Sequence, residues 1–310
     1  MLTRVGVIAL NTYREAVRAR ILLGLFALAF ATAGYSLVVG AYTLHNQLRV
    51  VSDLGAASIS LYSVITAVVL ASTSLYRELE LKTIFPVLVR PVTRTEYLLG
   101  KFLGTLLTLL VFIASNAGVL LFCLGALSGR PLGWVVGVAL GSVAAGILVG
   151  ARWARGRAYL PIPWALGLVV VGWWLSQGAA DDRRVVVGLG VLTLCEVSVI
   201  AAIATVFSAF SSPFLTAVFT LGVFLVGRSA DTLARLPARV FGETIQALGF
   251  WLSKVVPNLM VYVPPRPVLV GQVPDTPWPS YCLMAIGQAV AYSVVLLALG
   301  AWIFRRRDLQ

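Results

Sequence analysis

The chain alternates long apolar runs with short polar, basic or proline-containing breaks. Crossing a hydrocarbon core takes roughly 17 to 25 helical residues. Eight runs meet or approach that length: 20–43, 55–75, 98–127, 132–151, 159–176, 185–210, 213–227 and 282–304. The seventh is short, and the fifth carries Pro161 and Pro163 near its start. The first run follows arginines and contains Ala31-Thr32-Ala33, as a signal peptide might be cleaved, but it is too long for an h-region and stays apolar beyond that triplet. The pattern predicts an all-α polytopic membrane protein with about eight transmembrane helices.

Three stretches outside the runs are also patterned. In residues 1–20, plotted at 100° per residue, Arg4, Asn11, Arg14, Glu15 and Arg18 share one side, and Val5, Ala9, Thr12, Tyr13 and Ala16 the other. This predicts an amphipathic helix on the inner leaflet, or a cytoplasmic extension of the first span. Within 228–281, Leu233, Leu236, Val240, Leu248, Trp251 and Val255 recur at helical spacing among Arg235, Arg239, Glu243 and Lys254. Amphipathic helices at the outer interface are expected there, broken or kinked at Pro237. The prolines from Pro257 to Pro279 then predict an irregular, extended stretch, too small for a substrate-binding domain of its own.

The third stretch, 76–101, reads YRELELKTIFPVLVRPVTRTEYLLGK. Glu78 and Lys82 form an i,i+4 pair in the favourable order, which predicts a short helix over 77–85. Pro86 and Pro91 break it, and Thr93 or Thr95 can cap the helix that becomes the third span, with Glu96 at its positive end. Ile84, Phe85, Val87, Leu88 and Val89 need cover, either a docked partner or a lipid surface.

Composition supports the membrane reading: 59% of residues are apolar and 12% charged, about half the charged fraction of a soluble protein. In a soluble chain the net charge of +12 would point to nucleic acid. Here it reads as the positive-inside bias, with no nucleic-acid partner. Placing both termini and the 76–101 loop in the cytoplasm puts fifteen Lys and Arg residues inside and leaves four in the short loops opposite.

Little catalytic chemistry is available. No GxxxxGK[ST] occurs, since Gly100-Lys101 is followed by Phe102. His45 is the one histidine, which removes HExxH and His-based triads. Cys123, Cys195 and Cys282 are odd in number, form no CxxC, and read as buried small hydrophobes. No catalytic, cofactor or metal residues are expected in this chain. Glu196 lies well inside a span, where an ionisable group is costly; it is either functional or a packing group held by Asn116 or Ser115. Ser58, Tyr62, Thr66 and Thr73 form a hydroxyl stripe that could line a translocation path or pack against helices. Gly133, Gly137 and Gly141 give small-xxx-small spacing, a close-contact signal.

Arg77-Glu78-Leu79-Glu80, Lys82-Thr83-Ile84, Arg90-Pro91-Val92-Thr93-Arg94 and Glu96 to Phe102 resemble the permease subunits of type-2 ATP-binding-cassette (ABC) exporters. Asn11 to Ala16 and Phe304 to Leu309 resemble them more weakly, so the likeness covers the first 110 residues and the last 30. The resemblance implies a dimeric transmembrane unit, with a second copy or a homologous permease, in the cell (inner) membrane. Each protomer would have six core helices, an N-terminal connecting helix and short external helices before the last span. The loop between core helices two and three would dock a separate ATPase, which carries the ATP and Mg; the docking residues are then Arg77, Glu78, Glu80, Lys82, Phe85, Arg90 and Arg94. The chain then divides into a connecting helix (1–20), three spans with the coupling loop (20–127), an inserted hairpin (132–177), two further spans (185–227), an external segment (228–281) and a last span with a basic tail (282–310). The hairpin departs from the six-helix pattern. Two other functions compete with an export permease: an ion-coupled carrier using Glu196, and a lipid-modifying enzyme. The carrier predicts broken helices or an internal repeat, and the enzyme clustered polar side chains at one leaflet; the sequence has neither.

Overall fold

The structure, a computed structural model, describes residues 2–43, 45–80, 93–153, 156–274 and 277–306. Among them every regular element is helical, as lipid demands of a chain that must satisfy its backbone groups internally without closing a barrel. An N-terminal helix α1 (Leu2–Val17) precedes α2 (Arg20–Ala41), α3 (Gln47–Glu80), α4 (Arg94–Leu127), α5 (Leu132–Arg152), α6 (Pro161–Leu175), α7 (Ala180–Ser208) and α8 (Pro213–Arg228). Short helices α9 (Ala230–Ala234), α10 (Ala238–Phe241), α11 (Glu243–Val255) and α12 (Arg266–Val270), with a 3₁₀ turn at Leu259–Tyr262, lead to α13 (Trp278–Arg306). Helices α2, α3, α4, α5, α7 and α13 are long and apolar enough to cross a membrane, while α6 and α8 are apolar but shorter. The chain is an all-α polytopic integral membrane protein.

Helix α3 begins two turns before its apolar run. Gln47 to Leu54 are too polar to register as a span, yet Arg49 and Asp53 pair at i,i+4 (3.7 Å) and Ser52 is fully buried. At the start of α4, Thr93 is the cap: its hydroxyl accepts from the Glu96 N–H (3.2 Å), and the Glu96 carboxylate accepts from the Thr93 N–H (2.9 Å). Two of the helix's orphan donors are thereby satisfied.

Helices α3, α4 and α7 form the centre, with α2 against α3 and α13 against α7. Leu109, Leu120, Leu192, Val197 and Ile200 are almost wholly removed from solvent there. The apolar face of α1, made of Val5, Ala9, Thr12, Tyr13 and Ala16, is buried, but against the first half of α4 rather than lipid. Gly104 permits this approach, since a Cβ there would stand 2.5 Å from the Ala9 carbonyl oxygen. Tyr13 stacks on Tyr159 (6.3 Å between centroids), and burial pushes its hydroxyl, which has no hydrogen-bond partner among the described residues, up to about 12.

The hairpin α5–α6 is held mainly through α6. A Cβ on Gly118 of α4 would stand 2.6 Å from Leu168 Cβ, and one on Gly172 of α6 would stand 2.7 Å from Leu121 Cβ. Helix α5 is the outer member, with Leu132, Trp134, Leu140, Ile147 and Leu148 exposed. A Cβ on Gly133, Gly137 or Gly141 would meet nothing within 4 Å, so their spacing serves no contact within the described chain.

After α8 the chain folds back. Pro237 separates α9 from α10, and α11 presents Ile245, Leu248, Trp251 and Val255 to the surroundings. The proline-rich stretch is less extended than its composition predicts: the 3₁₀ turn and α12 bury Leu259, Tyr262, Val268 and Leu269. The Leu259–Tyr262 turn packs against α7 and α8, and burial raises the Tyr262 hydroxyl above the ordinary tyrosine range.

Candidate functional site

Glu196, in the middle of α7, is fully buried. It does not reach Asn116 or Ser115, whose side chains donate instead to the carbonyls of Phe112 (2.7 Å) and Val111 (2.7 Å) on their own helix. Its partner is Arg228, the last residue of α8. Arg228 Nε donates to Oε1 at 2.7 Å and Nη2 to Oε2 at 2.9 Å, and Nη2 also donates to Ser60 Oγ at 3.0 Å. The pair works because α8 is short: its 16 residues span about 24 Å, so its C-terminus stops beside the middle of α7, where a cation also suits the helix dipole.

Arg228 and Ser60 open onto a cavity of about 610 Å³ between α3, α7, the end of α8 and the 260–269 segment. Its wall is largely apolar, with Ala57, Leu61 and Val64 on α3 facing Leu189 on α7 and Phe224 on α8. Nearer the α2–α3 end of the bundle, Arg266 ties α12 to the ends of α3 and α7. Its guanidinium contacts Asp53, Asp182 and the Ser52 hydroxyl, while Ser52 donates to Asp182 at 2.9 Å. The partial burial of Arg266 and Asp182 is tolerable because each is paired and further hydrogen-bonded.

The hydroxyl stripe of α3 lies on neighbouring faces. Ser58, Thr66 and Thr73 donate to the carbonyls of Gly55, Tyr62 and Val69 within α3, and the Tyr62 hydroxyl meets Thr32 of α2 at 2.9 Å. None of these four residues lines the cavity. The α3 hydroxyl that meets the ion pair is Ser60, one position from Leu61 and outside the stripe. Sequence reasoning missed Arg228 because it closes the shortest apolar run and reads as the first residue of the following segment. The available signal was an acidic residue in one span and a cation ending a span too short to reach the surface.

Of the expected docking residues, Arg77, Glu78 and Glu80 fall in the last turn of α3 and Arg94 is the first residue of α4. Lys82, Phe85 and Arg90 lie outside the described residues. The predicted helix over 77–85 is thus continuous with the third helix through Glu80.

A family model described as ABC-2 family transporter protein matches residues 14–180, more than half of the chain. The chain belongs to this family. Comparison with curated proteins gives no match. The matched region of this ABC-2 permease runs from the end of α1 to the start of α7, so it takes in the α5–α6 hairpin. In this permease Glu196 and Arg228 lie beyond the matched stretch, whereas the α3 wall of the cavity, with Ala57, Ser60, Leu61 and Val64, lies within it.

Proposed function

We propose that this permease forms the membrane part of an exporter, as a dimer with a second copy or a homologous permease, and that a separate ABC ATPase powers it. Three features support the coupling. The chain has no P-loop, so nucleotide energy must enter from outside it. The basic and apolar 76–101 segment joins α3 to α4. Those two helices carry much of the central core, so force applied at the loop reaches the middle of the bundle. The family membership carries the reading most directly.

In this proposal both termini and the 76–101 loop face the cytoplasm of the cell membrane, the 228–281 segment faces outward, and Arg77, Glu78, Glu80, Lys82, Phe85, Arg90 and Arg94 meet the ATPase. The ion pair weighs against an ion-coupled carrier: Glu196 is already neutralised by a guanidinium held in two hydrogen bonds, which leaves no open carboxylate for a coupling ion. A photoreactive residue at Phe85, irradiated in cells, tests the docking surface. Crosslinking to a P-loop ATPase is expected, and its absence from an expressed, membrane-inserted permease counts against the proposal.

A further inference from the structure

A guanidinium has five N–H donors. In Arg228 three are used, by Nε and Nη2, on Glu196 and Ser60. The two on Nη1 have no hydrogen-bond partner among the described residues. The side chain keeps 24% of its exposure and lines the 610 Å³ cavity, so the unused edge faces that space. The same wall carries Ala57, Leu61 and Val64, whose side chains offer no acceptor, and Phe224, whose ring centroid lies 5.6 Å from the guanidinium carbon as a cation–π partner. Arg266 and Asp53 are the other charged side chains on the wall; Arg266 differs from Arg228 in meeting two carboxylates, Asp53 and Asp182, besides the Ser52 hydroxyl. Glu196 stands behind Arg228, fully buried. The wall therefore presents surplus guanidinium donors on Arg228, with the hydroxyls of Thr193 and Tyr262 also on the lining, inside a largely apolar chamber.

We infer that this cavity binds an amphiphile with an anionic oxygen head, a phosphate, sulfate or carboxylate, set against Arg228 Nη1 with its apolar body along α3 and Phe224. A guanidinium suits such a head because it offers paired donors in a plane. Glu196 and Ser60 are positioning residues, since they fix the guanidinium and leave Nη1 open. The volume matches a molecule of drug or single-chain lipid size. The inference rests on the permease reading for treating the chamber as part of the transport path. Its test uses no ATPase, so its failure and the failure of ATPase docking are separate results.

The full chain, with Cys123, Cys195 and Cys282 replaced by Ala and Ala57→Cys added on the cavity wall, is placed in phosphatidylcholine nanodiscs. Maleimide labelling of that cysteine is followed against dodecyl phosphate, dodecyltrimethylammonium and dodecanol. Dodecyl phosphate is expected to protect at concentrations about tenfold lower than the other two, the scale of one charge-assisted hydrogen bond. Arg228→Gln should erase the headgroup preference. Glu196→Gln should widen it, because the neutralising charge is gone while an amide still holds the guanidinium. A merely structural pair would leave the preference unmoved in Glu196→Gln, which keeps the test decisive even where Arg228→Gln fails to fold. Adding phosphatidylglycerol to the nanodisc assigns the source: protection by that lipid alone makes the occupant a membrane lipid, and protection only by the added phosphate makes it a free amphiphile. Equal protection by all three probes, or an unchanged preference in Glu196→Gln, overturns the inference.

Discussion

Arg228 holds Glu196 by two hydrogen bonds, Nε to Oε1 at 2.7 Å and Nη2 to Oε2 at 2.9 Å, and so fastens the end of α8 to the middle of α7. The two partners differ in exposure, 24% for Arg228 and 0% for Glu196, which makes their removal unequal. Arg228→Ala leaves a carboxylate buried without a cation and should destabilise the protein by about 3–5 kcal/mol. Glu196→Gln leaves a guanidinium that still meets an amide oxygen, Ser60 and the cavity, and should cost less. The double variant Glu196→Gln, Arg228→Ala should recover much of the Arg228→Ala loss. Thermal unfolding of the four proteins in one detergent measures the cycle, and equal losses in the two single variants would contradict this account of the pair.

The glycines of α4 and α6 should behave differently from those of α5. Gly118→Ala and Gly172→Ala place a Cβ 2.6 and 2.7 Å from the Cβ atoms of Leu168 and Leu121, an overpacking that typically costs about 1–3 kcal/mol. Gly137→Ala meets nothing within 4 Å and should be neutral or slightly stabilising as a helix substitution. A thermal-stability series across the three sites reads the difference. A loss at Gly137 as large as at Gly172 would mean that α5 is covered by another chain.

Tyr13 offers a contrast between packing and polarity. Its ring is fully buried while its hydroxyl has no partner among the described residues, so Tyr13→Phe should be neutral or stabilising. Tyr13→Ala empties the space between α1, α4 and Tyr159, and should cost about 3–5 kcal/mol. Retained stability in Tyr13→Ala would show that α1 contributes little to the bundle.

The spans were legible because lipid imposes one rule on every residue in it: runs at 20–43, 132–151 and 213–227 coincide with α2, α5 and α8 to within two residues. What hydropathy hides is polar helix, as in Gln47 to Leu54, and depth. Nothing in the local sequence of Arg228 says that α8 ends beside Glu196, since that follows from the relative placement of two helices. The buried face of α1 was legible from its periodicity, but its cover, α4, was not, because an apolar stripe fits a protein groove and a lipid surface equally well. The hydroxyls of α3 were visible as a set, yet only tertiary packing separates Ser60, on the cavity, from Ser58 and Thr66, which bond their own helix.

The proposed sidedness predicts the labelling of two single cysteines. Thr95, at the start of α4, and Gln272, just after α12, stand on opposite sides of the membrane in that topology. In a cysteine-free background, an impermeant maleimide added to intact cells should modify Gln272→Cys and spare Thr95→Cys until the membrane is opened. Labelling of both from the same side would end this topology.

The transmission of force from an ATPase through the 76–101 loop is the claim on which the functional account depends. Glu80 ends α3 and Arg94 begins α4, so two residues of opposite charge flank the loop in the chain. The most direct measurement is co-purification of the ATPase with the tagged permease, together with permease-dependent stimulation of ATP hydrolysis, in the double charge reversal Glu80→Arg, Arg94→Glu. The account predicts a permease that inserts and remains folded while both binding and stimulation fall several-fold. Binding and stimulation equal to those of the unaltered permease would contradict it.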